Sequence, residues 1–217
     1  MHVILIPRAN ALLFSSMERE GFGQISHTTE LEGWDDVPDN KEHVRALIRR
    51  FAKNKISDDV LAQYDIQGRS NLNGFSDGSR GIYYEAPNAL QLTYDGEGIA
   101  AIVFQLDRED GFVFIKQIQG VYGKQESLMP LKWERLLLAA TIDFAQRVPG
   151  CTEIEMMGAK YLTWYANPQF TSSPARSIDD YQRNLSMRYD GTAKRSGFRW
   201  SEERRCWVYL VSHGDDR

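Results

Sequence analysis

Five basic residues lie close together in the C-terminal part of the chain, beside Trp200 and Trp207. They are Lys194, Arg195, Arg199, Arg204 and Arg205. Basic side chains bind phosphates and aromatic rings stack on bases, so this region is a candidate contact for nucleic acid. A solvated helix end, where cations face the negative end of the helix dipole, explains the same residues. Both interpretations stay open at this point.

Metal and hydrolase chemistry find little support in the spacing of the other reactive residues. The four histidines are His2, His27, His43 and His213. They are scattered, and no Ser/His/Asp or His-Glu-x-x-His pattern occurs. Cys151 and Cys206 lack the Cys-x-x-Cys or Cys/His spacing of zinc sites. We therefore predict no metal site.

The composition is that of a globular protein. The 217 residues include 26 Lys and Arg against 30 Asp and Glu, a net charge of −4, and 42% are hydrophobic. This composition excludes disorder as the main state, and the length suits a single domain over 1–217. The longest apolar runs fall far short of the roughly 18–20 residues that a membrane span needs. The first residues lack the features of a signal peptide, so we expect a cytoplasmic protein.

Helical spacing characterises the N-terminal part, residues 1–85. Apolar side chains recur at helical intervals from Asp39 to Lys53 and from Ser57 to Tyr64, which predicts two helices. The stretch from Gln67 to Gly81 combines glycines with Ser, Asn and Asp, a composition typical of a loop.

The remaining part, residues 86–217, has the pattern of a sheet core. Three runs resemble strands: Leu90 to Tyr94, Ile99 to Leu106, and Phe112 to Val121. Turn residues at hairpin length separate them, which predicts an antiparallel meander.

Helices and strands alternate after the meander. A helix is predicted over 132–148, and a strand from Thr152 to Met157 directly after it indicates a parallel crossover. A further helix from Ile178 to Ser196 ends at Gly197, whose missing Cβ suits a left-handed residue. Cys206 to Val211 is the last predicted strand. The predicted fold is therefore α/β (α+β), with a mixed sheet.

This order of elements resembles that of the GNAT (GCN5-related N-acetyltransferase) superfamily. The segment Tyr189-Asp-Gly-Thr-Ala-Lys-Arg-Ser-Gly-Phe-Arg is similar to the family's final helix, which ends in Gly-Phe. The resemblance implies a mostly antiparallel central sheet flanked by helices. It also implies that 132–148 is the helix after the cofactor loop, and that Met1 to Pro7 supply a first strand.

The resemblance further implies a site for acetyl-CoA or another acyl-CoA. In that family the pyrophosphate rests on backbone N–H groups between the fourth strand and the next helix, where glycine lets the backbone approach. The corresponding residues here are Gln117, Ile118, Gln119, Gly120, Val121, Tyr122, Gly123 and Lys124. Tyr122 stands where the family has Gly or Ala.

Two catalytic residues follow from the same resemblance. Many members carry a tyrosine that protonates the leaving thiolate; Ala193 occupies that position here, and Tyr189 lies one helical turn earlier on the same face. Glu155, on the strand from Thr152 to Met157, is the candidate general base. A core tyrosine and a solvent-facing carboxylate are the alternative interpretations.

The implied function is an acyl-CoA-dependent N-acyltransferase that moves an acyl group to an amine by direct attack. A backbone N–H of the strand from Phe112 to Val121 would stabilise the developing negative charge. Two alternatives remain, since fold alone does not decide function. One is a GNAT-like protein without ordinary acyl-CoA activity that modifies or binds nucleic acid, and the other is a non-catalytic module that binds a partner.

Overall fold

The computed structural model describes residues 31–32, 34, 40–72, 74–75, 82–166 and 177–213. Its centre is a seven-stranded sheet with the order β1-β4-β5-β6-β7-β9-β8. The strands are β1 Tyr64–Arg69, β4 Asn88–Tyr94, β5 Glu97–Asp107, β6 Phe112–Gly120, β7 Glu153–Met157, β8 Arg199–Ser201 and β9 Cys206–Leu210. A separate hairpin pairs β2, Gly74–Phe75, with β3, Tyr83–Tyr84.

The described residues form six helices beside these strands. They are α1 Asn40–Phe51, α2 Asp58–Leu61, α3 Gln125–Leu128, α4 Trp133–Arg147, α5 Ile178–Arg188 and α6 Asp190–Arg195, and two short 3₁₀ turns cover Ala159–Tyr161 and Thr163–Tyr165. The longest, α4, is rich in Leu and Ala, which favour helix. It ends just before Pro149 and Gly150, and Gly150 has a φ of 77°, a conformation that glycine adopts without strain.

The mixed sheet confirms the predicted fold class. Five neighbouring strand pairs are antiparallel, and only β6 and β7 run parallel, joined by α4 as the crossover helix. The three strands of the meander and the strand after α4 lie where the sequence predicts them. A connection between parallel strands needs a dozen or more residues, which the segment between β6 and β7 provides.

The two faces of the sheet are covered differently. We call the face packed against α1, α4 and α6 the first face; it contains the main hydrophobic core, including Leu90, Ile102, Ile115 and Ile154. The opposite, second face carries a smaller cluster. Its residues are Leu72, Ile82, Tyr84, Ala86, Ala89, Ala101 and Val103. Each fully buried large aliphatic side chain contributes about 1.5–3 kcal/mol to stability. The first face, which buries more of them, therefore contributes more of the stability than the second.

The structure differs from the sequence prediction in the N-terminal part. Residues 1–85, expected to be helical, also contain β1, β2 and β3, and β1 begins at the end of the second predicted helix. The edge strand of the described sheet therefore follows the two helices. The segment Met1 to Pro7 and most of the predicted loop after Arg69 lie outside the described residues.

Candidate functional site

Strands β6 and β7 separate part-way along their length. Their parallel pairing runs from Phe112, opposite Glu153, to Ile115, opposite Met156, and then stops. Residues 116–120 of β6 continue along β5, but no strand among the described residues pairs with them on the other side. We call this opening the split. A strand edge without a partner presents free backbone N–H and C=O groups.

A β-bulge lies where the split begins. Ile115 pairs with Phe104 and Gln117 pairs with Val103, so Lys116 is an extra residue on β6. The bulge returns Ile118 to the first face, where it joins the main core, and leaves Gln117 on the second face with Val103. It therefore determines which backbone groups face the split.

The hydroxyl of Tyr189 lies in the split. The backbone N–H of Ile118 donates a hydrogen bond to the Tyr189 hydroxyl oxygen at 3.0 Å. Tyr189 is 1% exposed, and burial raises the pKa of its hydroxyl above its ordinary value. The hydroxyl therefore stays protonated near neutral pH. Its oxygen accepts the Ile118 N–H, and among the described residues no acceptor takes its proton, which can donate to a group inside the split.

Asp190 fixes the helix end that carries Tyr189. The predicted helix from Ile178 to Ser196 is interrupted at Tyr189, between α5 and α6. One carboxylate oxygen of Asp190 accepts a hydrogen bond from the Ala159 N–H at 3.0 Å and another from Trp207 Nε1 at 2.9 Å. Asp190 therefore ties this junction to the turn after β7 and to β9.

The predicted cofactor residues divide between a strand and a turn. Gln117, Ile118, Gln119 and Gly120 belong to β6 and pair with β5, so they do not form a loop. Val121, Tyr122, Gly123 and Lys124 form the turn before α3. The Val121 N–H donates to the Ile99 carbonyl at 2.8 Å, Lys124 forms an ion pair with Glu97, and Tyr122 is exposed.

Gly120 is the last residue of β6 and lies at the end of the split farthest from the bulge. A Cβ at this position would stand 3.2 Å from Leu128 Cδ1 and 3.3 Å from Trp133 Cζ2. The Arg188 guanidinium lies over the same Trp133 ring, 5.5 Å from its centroid. Positive charge is thus present beside the last residue of β6.

Glu155 lies on the second face, away from Tyr189. Its carboxylate accepts a hydrogen bond from Arg204 Nη1 at 2.7 Å, and Glu153 accepts another from the same nitrogen at 2.8 Å. Ile154 and Met156, on either side of Glu155, face the main core. The role of Glu155 as general base stays a prediction, and its carboxylate is engaged with a cation.

Glu85 is a candidate that the sequence analysis missed. It lies in the bend between β3 and β4, and burial raises the pKa of its carboxyl to about 7, although the nearby Lys116 lowers it. Burial lowers the pKa of Lys116 in turn. The Glu85 residue as a whole is nevertheless exposed to solvent. Its carboxyl has therefore lost part of its hydration but remains accessible to another molecule. A single carboxylate outside any motif gives no signal in the sequence.

Comparison with known proteins gives two solved structures over most of this chain. The ribosomal-protein-S18-alanine N-acetyltransferase of Escherichia coli is 15% identical, with a TM-score of 0.32, over 88% of this chain and 97% of that one. The N-acetylglutamate synthase of Neisseria gonorrhoeae, in complex with coenzyme A and N-acetyl-glutamate, is 12% identical, with a TM-score of 0.30. That match covers 87% of this chain and 36% of the synthase.

No family model matches the chain, and no curated protein matches it. The mixed sheet, its single parallel pair around α4 and the final helix before Gly197 have the arrangement that the resemblance implied. The fold is GNAT-like.

The five basic residues near Trp200 and Trp207 differ in their contacts. Arg204 is held by Glu153 and Glu155, and the Arg205 guanidinium lies over the Tyr161 ring, 5.8 Å from its centroid. Lys194, Arg195 and Arg199 are exposed. Contact with nucleic acid stays a prediction for these residues.

The described part of the chain contains neither a membrane-spanning helix nor a metal cluster. None of its helices combines the length and apolar character that crossing a membrane requires. Among the same residues, no three His, Cys, Asp or Glu side chains group in a way that suits a metal ion.

Proposed function

We propose that this chain is an acyl-CoA-dependent N-acyltransferase that moves an acyl group from a thioester to an amine by direct attack. The observation that carries the proposal is the buried Tyr189 hydroxyl, bound to the Ile118 N–H on the unpaired edge of β6. A protonated, water-excluded hydroxyl with a free proton suits a leaving thiolate, which must gain a proton.

The backbone of the split supports binding of the extended coenzyme arm. Because residues along an antiparallel strand alternate in direction, Ile118 and Gly120 direct their backbone polar groups away from β5. The Ile118 N–H is bound by Tyr189, which leaves the Ile118 carbonyl and both backbone groups of Gly120 on the open edge. The amide N–H groups of the coenzyme A arm can donate to these two carbonyls as another strand would, which leaves the Gly120 N–H for the reacting group.

Positive charge beside the end of β6 supports binding of the coenzyme phosphates. The Arg188 guanidinium over Trp133 and the Lys124 ammonium lie near the last residues of β6. Within the described residues, no acceptor reaches Arg188 Nε, although this atom is buried. A phosphate oxygen would provide a charge-assisted partner.

The chemistry then depends on two groups of this chain. An acyl-CoA supplies an activated acyl group whose carbonyl oxygen gains negative charge when an amine attacks. The Gly120 N–H is the backbone donor on the open edge that can stabilise such charge. Tyr189 supplies a proton to the sulfur as the thiolate leaves.

The test is calorimetric titration of the chain with acetyl-CoA, with free coenzyme A as a competitor, followed by a thiol-release assay with water as the acceptor. We expect binding of both compounds. Replacement of Tyr189 by Phe should preserve acetyl-CoA binding and slow thiol release about 100-fold or more. Absence of binding to the unaltered chain would overturn the proposal.

A matched control separates catalysis from folding. Loss of the Tyr189 hydroxyl leaves the buried Ile118 N–H unpaired, at a cost of about 1–3 kcal/mol. Tyr64 is also a buried tyrosine, and its hydroxyl donates to the Ser127 carbonyl at 2.7 Å. The Tyr64→Phe variant should lose comparable stability but retain thiol release.

A further inference from the structure

Glu85 lies over the second face at the level of the bulge. The residues on either side of it, Tyr84 and Ala86, are buried in the cluster on this face. Strand β4 begins at Asn88, which is opposite Phe104 on β5, and Phe104 is opposite Ile115 on β6. Tyr84 and Ala86 also share their cluster with Val103, which is opposite Gln117, the residue after Lys116. The bend that carries Glu85 therefore covers the second face next to the bulge.

Two groups at the bulge and in the split interact with the Glu85 carboxylate. Its carboxylate interacts electrostatically with the Lys116 ammonium at the bulge. The same carboxylate also acts electrostatically on the Tyr189 hydroxyl, which lies in the split and belongs to the first-face core. Lys116 on β6 and Tyr189 between α5 and α6 are thus two titratable groups that interact with Glu85.

A second acceptor atom lies on the same face. Gln117, next to Lys116, donates from Nε2 to Gln119 Oε1 at 2.6 Å. Its own Oε1 is buried, and no donor within the described part of the chain reaches it. A buried acceptor without a donor is costly, and an N–H group of a ligand would satisfy it.

We propose that Glu85 is the general base that takes the proton of the acceptor amine, which enters the split from the second face. This inference rests on the proposed acyltransferase function. Glu85 and Tyr189 then act from opposite faces of the sheet, as base and acid. Gln117 Oε1 accepts a hydrogen bond from the same amine and orients it.

The proton inventory of the step balances. A neutral primary amine forms a bond from its nitrogen to the acyl carbon, and one N–H proton passes to the Glu85 carboxylate. The bond between the acyl carbon and sulfur breaks, and the sulfur takes the Tyr189 proton. The proton on Glu85 then returns to Tyr189 through solvent, so the products are an amide and a free thiol.

Release of thiol from acetyl-CoA, with water in place of the amine, tests the assignment without knowledge of the acceptor. Release by the unaltered chain should rise with pH, with its midpoint at about pH 7, since the unprotonated carboxylate is the active form. The Glu85→Gln variant should bind acetyl-CoA with unchanged affinity and release thiol about 100-fold more slowly. Burial raises the pKa of Cys151, and that of Cys206 to about 12, so the chain's own thiols react little with the detection reagent.

Two further variants make the result specific. Glu109 lies exposed in the turn between β5 and β6, and Glu109→Gln should change neither binding nor release. Lys116→Met removes the cation that lowers the Glu85 pKa, so it should move the midpoint of the pH profile upward. An unshifted midpoint, or full release by Glu85→Gln, would overturn the role of Glu85.

The outcomes separate this inference from the proposed function. Binding of acetyl-CoA without pH-dependent thiol release would overturn the role of Glu85, whereas the proposed coenzyme site would still be supported. If the unaltered chain does not bind acetyl-CoA, the proposed function fails, and the role of Glu85 fails with it.

Discussion

Gly120 sets how closely α3 and α4 approach β6. Because a Cβ there would press on the Trp133 ring, which is covered by Arg188, we expect Gly120→Ala to lower the free energy of unfolding by about 1–3 kcal/mol. Gly191→Ala is the matched control, since its Cβ would meet only the flexible end of Arg195 and alanine favours the helix. Urea denaturation of both variants measures the difference, and equal stabilities would contradict this packing.

Single residues of the site were predictable only where a motif surrounded them. Tyr189 could be selected because it begins the segment that contains Gly-Phe, and the structure places its hydroxyl on the split. Glu85 could not, because it is one of 30 acidic residues and its surroundings arise from β5 and β6, distant in sequence. Long-range packing, not local spacing, determines how such a carboxyl titrates.

Asp190 is the joint between two helices and the sheet. The Asp190→Ala variant removes the acceptor of both the Ala159 N–H and Trp207 Nε1, so the Tyr189 ring should lose its fixed position. We expect a loss of stability of about 2–4 kcal/mol and slower thiol release. Asp190→Asn keeps an acceptor oxygen and should recover most of both, which unfolding and thiol-release measurements would show. Equal losses in the two variants would indicate that the charge, rather than the acceptor, matters.

Elements with strong periodicity were predictable, and those defined by tertiary contacts were not. The meander and α4 follow from alternating and helical apolar patterns that extend over many residues. The interruption at Tyr189 was missed because apolar residues keep helical spacing across it, while Asp190 bonds to distant groups. Strand β1 was missed because its short, polar sequence pairs with β4, which lies far along the chain.

The stability of the whole molecule should depend on the titration of Glu85. Its pKa is about 7 in the folded chain against an ordinary value of 4.5, so the unfolded chain releases this proton first as pH rises. The free energy of unfolding of the unaltered chain should therefore fall, relative to that of Glu85→Gln, between about pH 4.5 and about pH 7. Urea denaturation of both chains from about pH 4 to about pH 8 measures this difference. Parallel pH profiles would contradict the raised pKa.

The bulge at Lys116 also has a consequence for how this sheet could have changed through insertions and deletions. Without Lys116, Gln117 would directly follow Ile115, and each would keep its present partner on β5 and its present face. A chain one residue shorter at this point would therefore retain the same buried side chains. It would lose the local bend, and with it the cation that Glu85 faces. Deletion of one codon is thus a minimal genetic change that would spare the core of this protein and alter its chemistry.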